Sequence, residues 1–158
     1  MNDKTRVGRL AENLVRSEIV ERSNHRIVNL NDLRKNHPIV DLRVSDRKTG
    51  KSYDVSVKAK RGHVWPAVRG VRSRNQFMVF VDASDVRETS FYILTYSEWI
   101  STLQRIKPQR DAGSMIVNGA LEWNWKEGGV LKRFRGSQIC LEDISRFKSR
   151  WASLPGCR

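Results

Sequence analysis

No run of apolar residues in this chain is long enough to span a bilayer, and no secretory leader opens it, so a soluble, cytoplasmic protein is expected. Cysteine is scarce. Cys140 and Cys157 are too few for a structural zinc site, and a reduced pair is expected, with Cys157 in a frayed tail. His25, His37 and His63 show no ligand spacing and read as surface or loop residues. Carboxylates are outnumbered, 17 against 30 lysines and arginines, which leaves a net charge of +13 and an isoelectric point near 10.4. The basic residues are spread along the chain, so the charge belongs to a folded surface and calls for a polyanion, nucleic acid first. A long basic amphipathic helix is missing, which argues against a membrane surface as the partner.

What is present suffices for one core. The 158 residues are 39% apolar, and no linker or internal repeat divides them. Residues 5–22 read as the best helix, with Val7, Leu10, Ala11, Leu14, Val15 and Ile19 on one stripe and Glu12 beside it. A short strand is expected over 26–30 and a polar loop over 29–38. Val40, Leu42 and Val44 then alternate with Asp41, Arg43 and Ser45. After the turn Arg47-Lys48-Thr49-Gly50, Tyr53, Val55, Val57 and Ala59 alternate with Asp54, Ser56, Lys58 and Lys60. Period two gives each strand of this hairpin one apolar and one polar face.

Further on, Phe77–Val81 (FMVFV) and Phe91–Leu94 (FYIL) are continuous apolar runs, the pattern of strands buried on both faces. Ser97 is placed to cap a short helix through Trp99, Ile100 and Leu103. Residues 114–136 hold glycines, two tryptophans and several cations and read as irregular or short strands. A last helix is expected over 141–151. The order predicts an α/β (α+β) domain with a central mixed sheet flanked by helices, its core at about 5–105 and a basic extension at about 106–158.

Chemistry concentrates around the hairpin. Hydrolysis of a phosphodiester with a hard divalent ion needs oxygen ligands grouped within a few ångströms and a cation to steady developing charge. Asp41 and Lys58 lie on the polar edges of adjacent strands, and Glu12 comes from a helix packed against that sheet. From Lys60 onward, the segment holding Lys60, Arg61, Trp65, Arg69, Arg72 and Arg74 interleaves basic and aromatic residues, which suits contact with a nucleic-acid backbone and a base or sugar. Trp65 tucked into the core is the competing reading.

With Gly8-Arg9-Leu10-Ala11-Glu12-Asn13-Leu14-Val15 on the first helix, Pro38-Ile39-Val40-Asp41 opening one strand, Ser56-Val57-Lys58 on the next, and Ser97-Glu98-Trp99 further on, the chain resembles the PD-(D/E)XK nuclease superfamily over about residues 5–105. The resemblance implies a restriction-endonuclease-like fold and a Mg²⁺ or Mn²⁺ cofactor. It makes Asp41 a metal ligand, Lys58 the catalytic lysine and Glu12 the supporting helix carboxylate. DNA is implied as substrate ahead of RNA, and a homodimer is compatible. The sequence departs from the family at Ser56, where an acid is usual. Asp54, about 7 Å back along the same strand edge, replaces that acid only if the metal shifts or the strand bulges. Otherwise Ser56 contributes through water, or hydrolysis is lost and a non-catalytic nucleic-acid-binding module remains.

Overall fold

The computed structural model describes residues 3–33, 40–60, 62–85, 87–110 and 112–158. Arg61, His37, Pro38 and Ile39, all named above, lie outside them. The first helix, α1 (Asp3–Arg22), runs into β1 (His25–Asn29) and a single helical turn, α2 (Leu30–Leu33). The hairpin follows as β2 (Leu42–Asp46) and β3 (Ser52–Lys60), then β4 (Val64–Val68), β5 (Gln76–Asp82), β6 (Ser90–Leu94) and α3 (Tyr96–Arg110). The remainder forms β7 (Met115–Val117), β8 (Ala120–Glu127), β9 (Val130–Arg135), β10 (Ser137–Cys140) and α4 (Leu141–Ile144), with two 3₁₀ turns behind it.

The expected class holds: an α+β domain on a five-stranded mixed sheet ordered β1-β2-β3-β5-β6. β1, β2 and β3 form an antiparallel meander, β3 runs parallel to β5, and β6 returns antiparallel. Asp46 closes the β2–β3 turn by accepting the Lys48 N–H at 2.7 Å and the Thr49 hydroxyl at 2.9 Å, while Gly50 takes the positive φ of 69° that the turn needs.

Strand β5 explains why its sequence is unbroken apolar from Phe77 to Val81. Phe77, Val79 and Val81 face α1, where Ala11, Val15 and Ile19 pack with Leu42, Val55 and Ile93. Met78 and Phe80 point the other way, onto Trp99, Leu103 and Ile106 of α3. A central strand covered on both sides must bury every residue. Leu10, placed on the apolar stripe by its spacing, stays half exposed.

The C-terminal third is built into both layers. Trp151, Leu154 and Cys157 close the α1 side, and Leu121, Ile139, Ile144 and Phe147 close the α3 side. Cys157 is therefore buried rather than frayed, and the expected last helix shortens to α4 and its 3₁₀ turns. His25 is also buried, within 2.7 Å of the Pro155 carbonyl through Nε2, which ties β1 to the C-terminal segment.

Helix α3 is longer than its sequence suggested and is capped two residues earlier. Thr95 accepts the Glu98 N–H through Oγ1 at 3.3 Å, and Glu98 accepts the Thr95 N–H at 2.9 Å, a reciprocal capping box with Ser97 inside the helix. Glu98 also pairs with Arg150 at 2.5 Å. Burial pushes the Glu98 carboxyl up, but the Thr95 N–H and the Arg150 guanidinium outweigh it and hold the group below its usual 4.5. A depressed folded value stabilises above the unfolded value and is lost as pH falls through the folded one. Glu98→Gln is therefore expected to cost about 1 kcal/mol at neutral pH. That difference should vanish in urea melts run below pH ~3; a pH-independent difference would contradict it.

Candidate functional site

The loop entering β2 and the middle of α1 meet beside β3. Asp41 is fixed at both ends of its backbone: its N–H donates to the Val55 carbonyl at 3.0 Å and its carbonyl accepts the Leu30 N–H at 2.8 Å. Its carboxylate lies against β3, where Oδ2 accepts the Val57 N–H at 2.6 Å and the Ser56 hydroxyl stands at 3.5 Å. Asn31 reaches from α2 and donates through Nδ2 both to Asp41 Oδ1 at 3.2 Å and to Glu12 Oε1 at 3.0 Å. Asn29 donates to the other Glu12 oxygen at 2.8 Å.

Two carboxylates from distant parts of the sequence thus sit side by side, bridged by one amide. Glu12 is only 9% exposed. Burial raises its pKa above the usual carboxylate value. The Asn29 amide pulls it back, and the charge of Asp41 pushes it further up. No lysine or arginine among the described residues forms an ion pair with either carboxylate.

The remaining polar residues of β3 divide by their neighbours. Asp54 is held by Arg43 in a two-pronged pair at 2.8 and 3.1 Å, so it turns to the neighbouring strand and not to Asp41. It does not supply the acid that Ser56 lacks. Ser56 is buried beside Asp41. Lys58 follows two residues later on the same strand face. It lines a pocket of about 320 Å³ with Arg69, Arg72 and Arg135. Its ammonium has no ion-pair partner among the described residues.

Two residues expected to contact nucleic acid are withdrawn from the surface. Trp65 is 1% exposed: its indole N–H donates to the Lys58 carbonyl at 3.0 Å, and its ring packs edge-on against Phe80. Lys60 is 7% exposed and paired with Asp82 at 2.9 Å, its ammonium 4.4 Å from the Trp65 ring centre. An ammonium so enclosed cannot meet a phosphate without breaking a buried pair. Both hold the β3–β4 connection in place instead. Arg69 and Arg72 remain exposed at the pocket with Lys58, whereas Arg74 borders a different depression beside Phe77 and Tyr96.

Arg135 was not singled out from the sequence, yet it completes the basic pocket. Its guanidinium donates to the carbonyls of Val117 at 2.8 Å and Asn118 at 3.1 Å. The signal that could have placed it is turn chemistry. Asn118-Gly119 and Gly128-Gly129 all take positive φ, the demand of tight two-residue hairpin turns. They join β7, β8 and β9 into a three-stranded sheet.

Glu12 and Asp41 offer four oxygens, each already accepting at least one donor, with Asp41 Oδ2 also facing the Ser56 hydroxyl. All donors are hard. Magnesium is commonly held by one or two carboxylates, with water and substrate phosphate completing its shell. The pair fits one Mg²⁺ or Mn²⁺ on that basis. Among the described residues, no group of three or more acidic, histidine or cysteine side chains gathers to hold a metal by protein ligands alone. No described helix is long and apolar enough to cross a membrane. No family model, characterised protein or solved structure matches the chain significantly.

Proposed function

We propose that this chain is a metal-dependent endonuclease-like protein that hydrolyses phosphodiester bonds of DNA, a variant of the PD-(D/E)XK arrangement. The observation that supports it best is the Glu12–Asn31–Asp41 cluster. Two adjacent carboxylates, one of them buried and neither in an ion pair among the described residues, are costly. On a surface that must attract a polyanion they are also misplaced, unless a cation joins them. A Mg²⁺ or Mn²⁺ ion held by Glu12 and Asp41 would supply Lewis-acid polarisation of a phosphate oxygen.

The chain does the rest by placement. The Val57 N–H and Ser56 hydroxyl fix the Asp41 carboxylate in advance, so little reorganisation accompanies the reaction. Lys58 presents an ammonium with no ion-pair partner among the described residues on the same strand face as Ser56, available to the charge that develops on the phosphoryl oxygens. Arg69, Arg72 and Arg135 flank it for the adjoining phosphates.

A second reading, a non-catalytic nucleic-acid-binding module, is favoured by one specific observation: the Arg43–Asp54 pair leaves Ser56 without an acidic substitute. Incubation with supercoiled and linear DNA and with RNA, in Mg²⁺ or Mn²⁺, separates the two. Hydrolysis should appear on DNA and fall about a hundredfold in Lys58→Ala. Salt-sensitive binding without cleavage in either metal would establish the module and remove the enzyme.

A further inference from the structure

The β8–β9 hairpin carries a second surface that the reaction does not use. Its register pairs Trp123 with Phe134 and Trp125 with Lys132. These pairs are two residues apart along each strand and so share one face. Trp125 and Phe134 are each 45% exposed, and the Trp123 and Phe134 rings lie 5.6 Å apart, tilted by 44°. With Pro66, Ala67 and Gln138 they line a shallow depression of about 530 Å³. Pro66 and Ala67 also line the pocket of Lys58, Arg69, Arg72 and Arg135, so the aromatic face continues directly into the basic one.

Exposed Lys126, Lys132 and Arg133 edge the hairpin, against Glu127 as its exposed acid. Rings set among cations complement a ligand that alternates flat apolar groups with anions. Paired bases hide their faces in the duplex stack, so only unpaired nucleotides can lie on these rings.

We infer that Trp125 and Phe134 form a stacking platform for unpaired DNA bases whose phosphates run into the Lys58 pocket. The substrate would then be single-stranded DNA or a junction with an unpaired arm. This rests on the nucleic-acid reading above but not on hydrolysis.

Fluorescence anisotropy in EDTA, with labelled oligo-dT and with a mixed-sequence duplex, tests it on the full chain. Trp125→Ala and Phe134→Ala should each weaken oligo-dT binding about tenfold and duplex binding less than about twofold. Trp125→Phe, which keeps a ring, should recover most of the loss. Unchanged melting temperatures would show that the half-exposed positions are not needed for folding. Oligo-dT binding as tight as wild type in both alanine variants overturns the platform. So does a wild-type dimer that Trp125→Ala dissociates with oligo-dT binding intact, since the face would then seat a second copy. The tenfold loss without any cleavage by wild type keeps the platform and removes hydrolysis; cleavage with unaltered variants does the reverse.

Discussion

Asp41→Asn is expected to lower metal-dependent DNA cleavage about 10³-fold, with DNA binding in EDTA unchanged or slightly tighter. The variant keeps the shape of the side chain. An asparagine oxygen can still accept the Val57 N–H that Asp41 takes at 2.6 Å, so β3 need not move. What disappears is the second negative charge beside Glu12, and with it most of the attraction for a divalent ion. Because an ion that binds only the folded chain raises its stability, Mg²⁺ or Mn²⁺ should raise the melting temperature of wild type and leave that of Asp41→Asn in place. The two readouts guard each other. Lost cleavage with an undiminished metal-induced rise would move the ion away from Asp41, and equal cleavage in the two proteins would remove the proposed site.

Gly70→Ala is expected to be severely destabilising, costing about 3 kcal/mol or more. Gly70 follows β4 and crosses the Asn118-Gly119 turn at van der Waals distance. A β-carbon there would stand 1.6 Å from the Gly119 carbonyl oxygen and 2.2 Å from the Trp99 indole nitrogen. Those two atoms are themselves hydrogen-bonded at 2.7 Å. The added methyl therefore strikes backbone and a buried tryptophan together, and no flexible side-chain end is available to yield. Relief requires the β7–β8 turn to lift away, which opens the α3 layer and tilts the platform hairpin. Thermal melts should show a fall of about 10 °C for a chain of this size. A variant melting within about 2 °C of wild type would mean that the two backbone segments are not packed as described.

Several features were readable from residue order because local physics settles them. Period-two alternation marks β2 and β3, since a strand with one covered face must alternate. Unbroken apolarity marks β5 and β6, since strands covered on both faces must not. Trp65 and Lys60 were legible only as composition. A lysine near a tryptophan reads the same whether both face solvent or both are enclosed, and the difference here is Asp82, which lies on β5, beyond β4. The extent of the C-terminal contribution was hidden for a similar reason. Trp151, Leu154 and Cys157 recur every third residue, but that spacing does not say which layer they cover, and they gain meaning only from the α1 layer that they complete.

The sequence by itself determined the fold class, the hairpin carrying Asp41, Ser56 and Lys58, and the strongly basic surface. Each of these follows from spacing along the chain or from a sum of charges. Only the tertiary structure decided that Asn31 draws Glu12 against Asp41, that Arg43 takes Asp54 out of reach, and that the β8–β9 hairpin lies beside the basic pocket. These are contacts between segments whose separation in sequence carries no information about distance, and they exist because the sheet is folded between two packed layers.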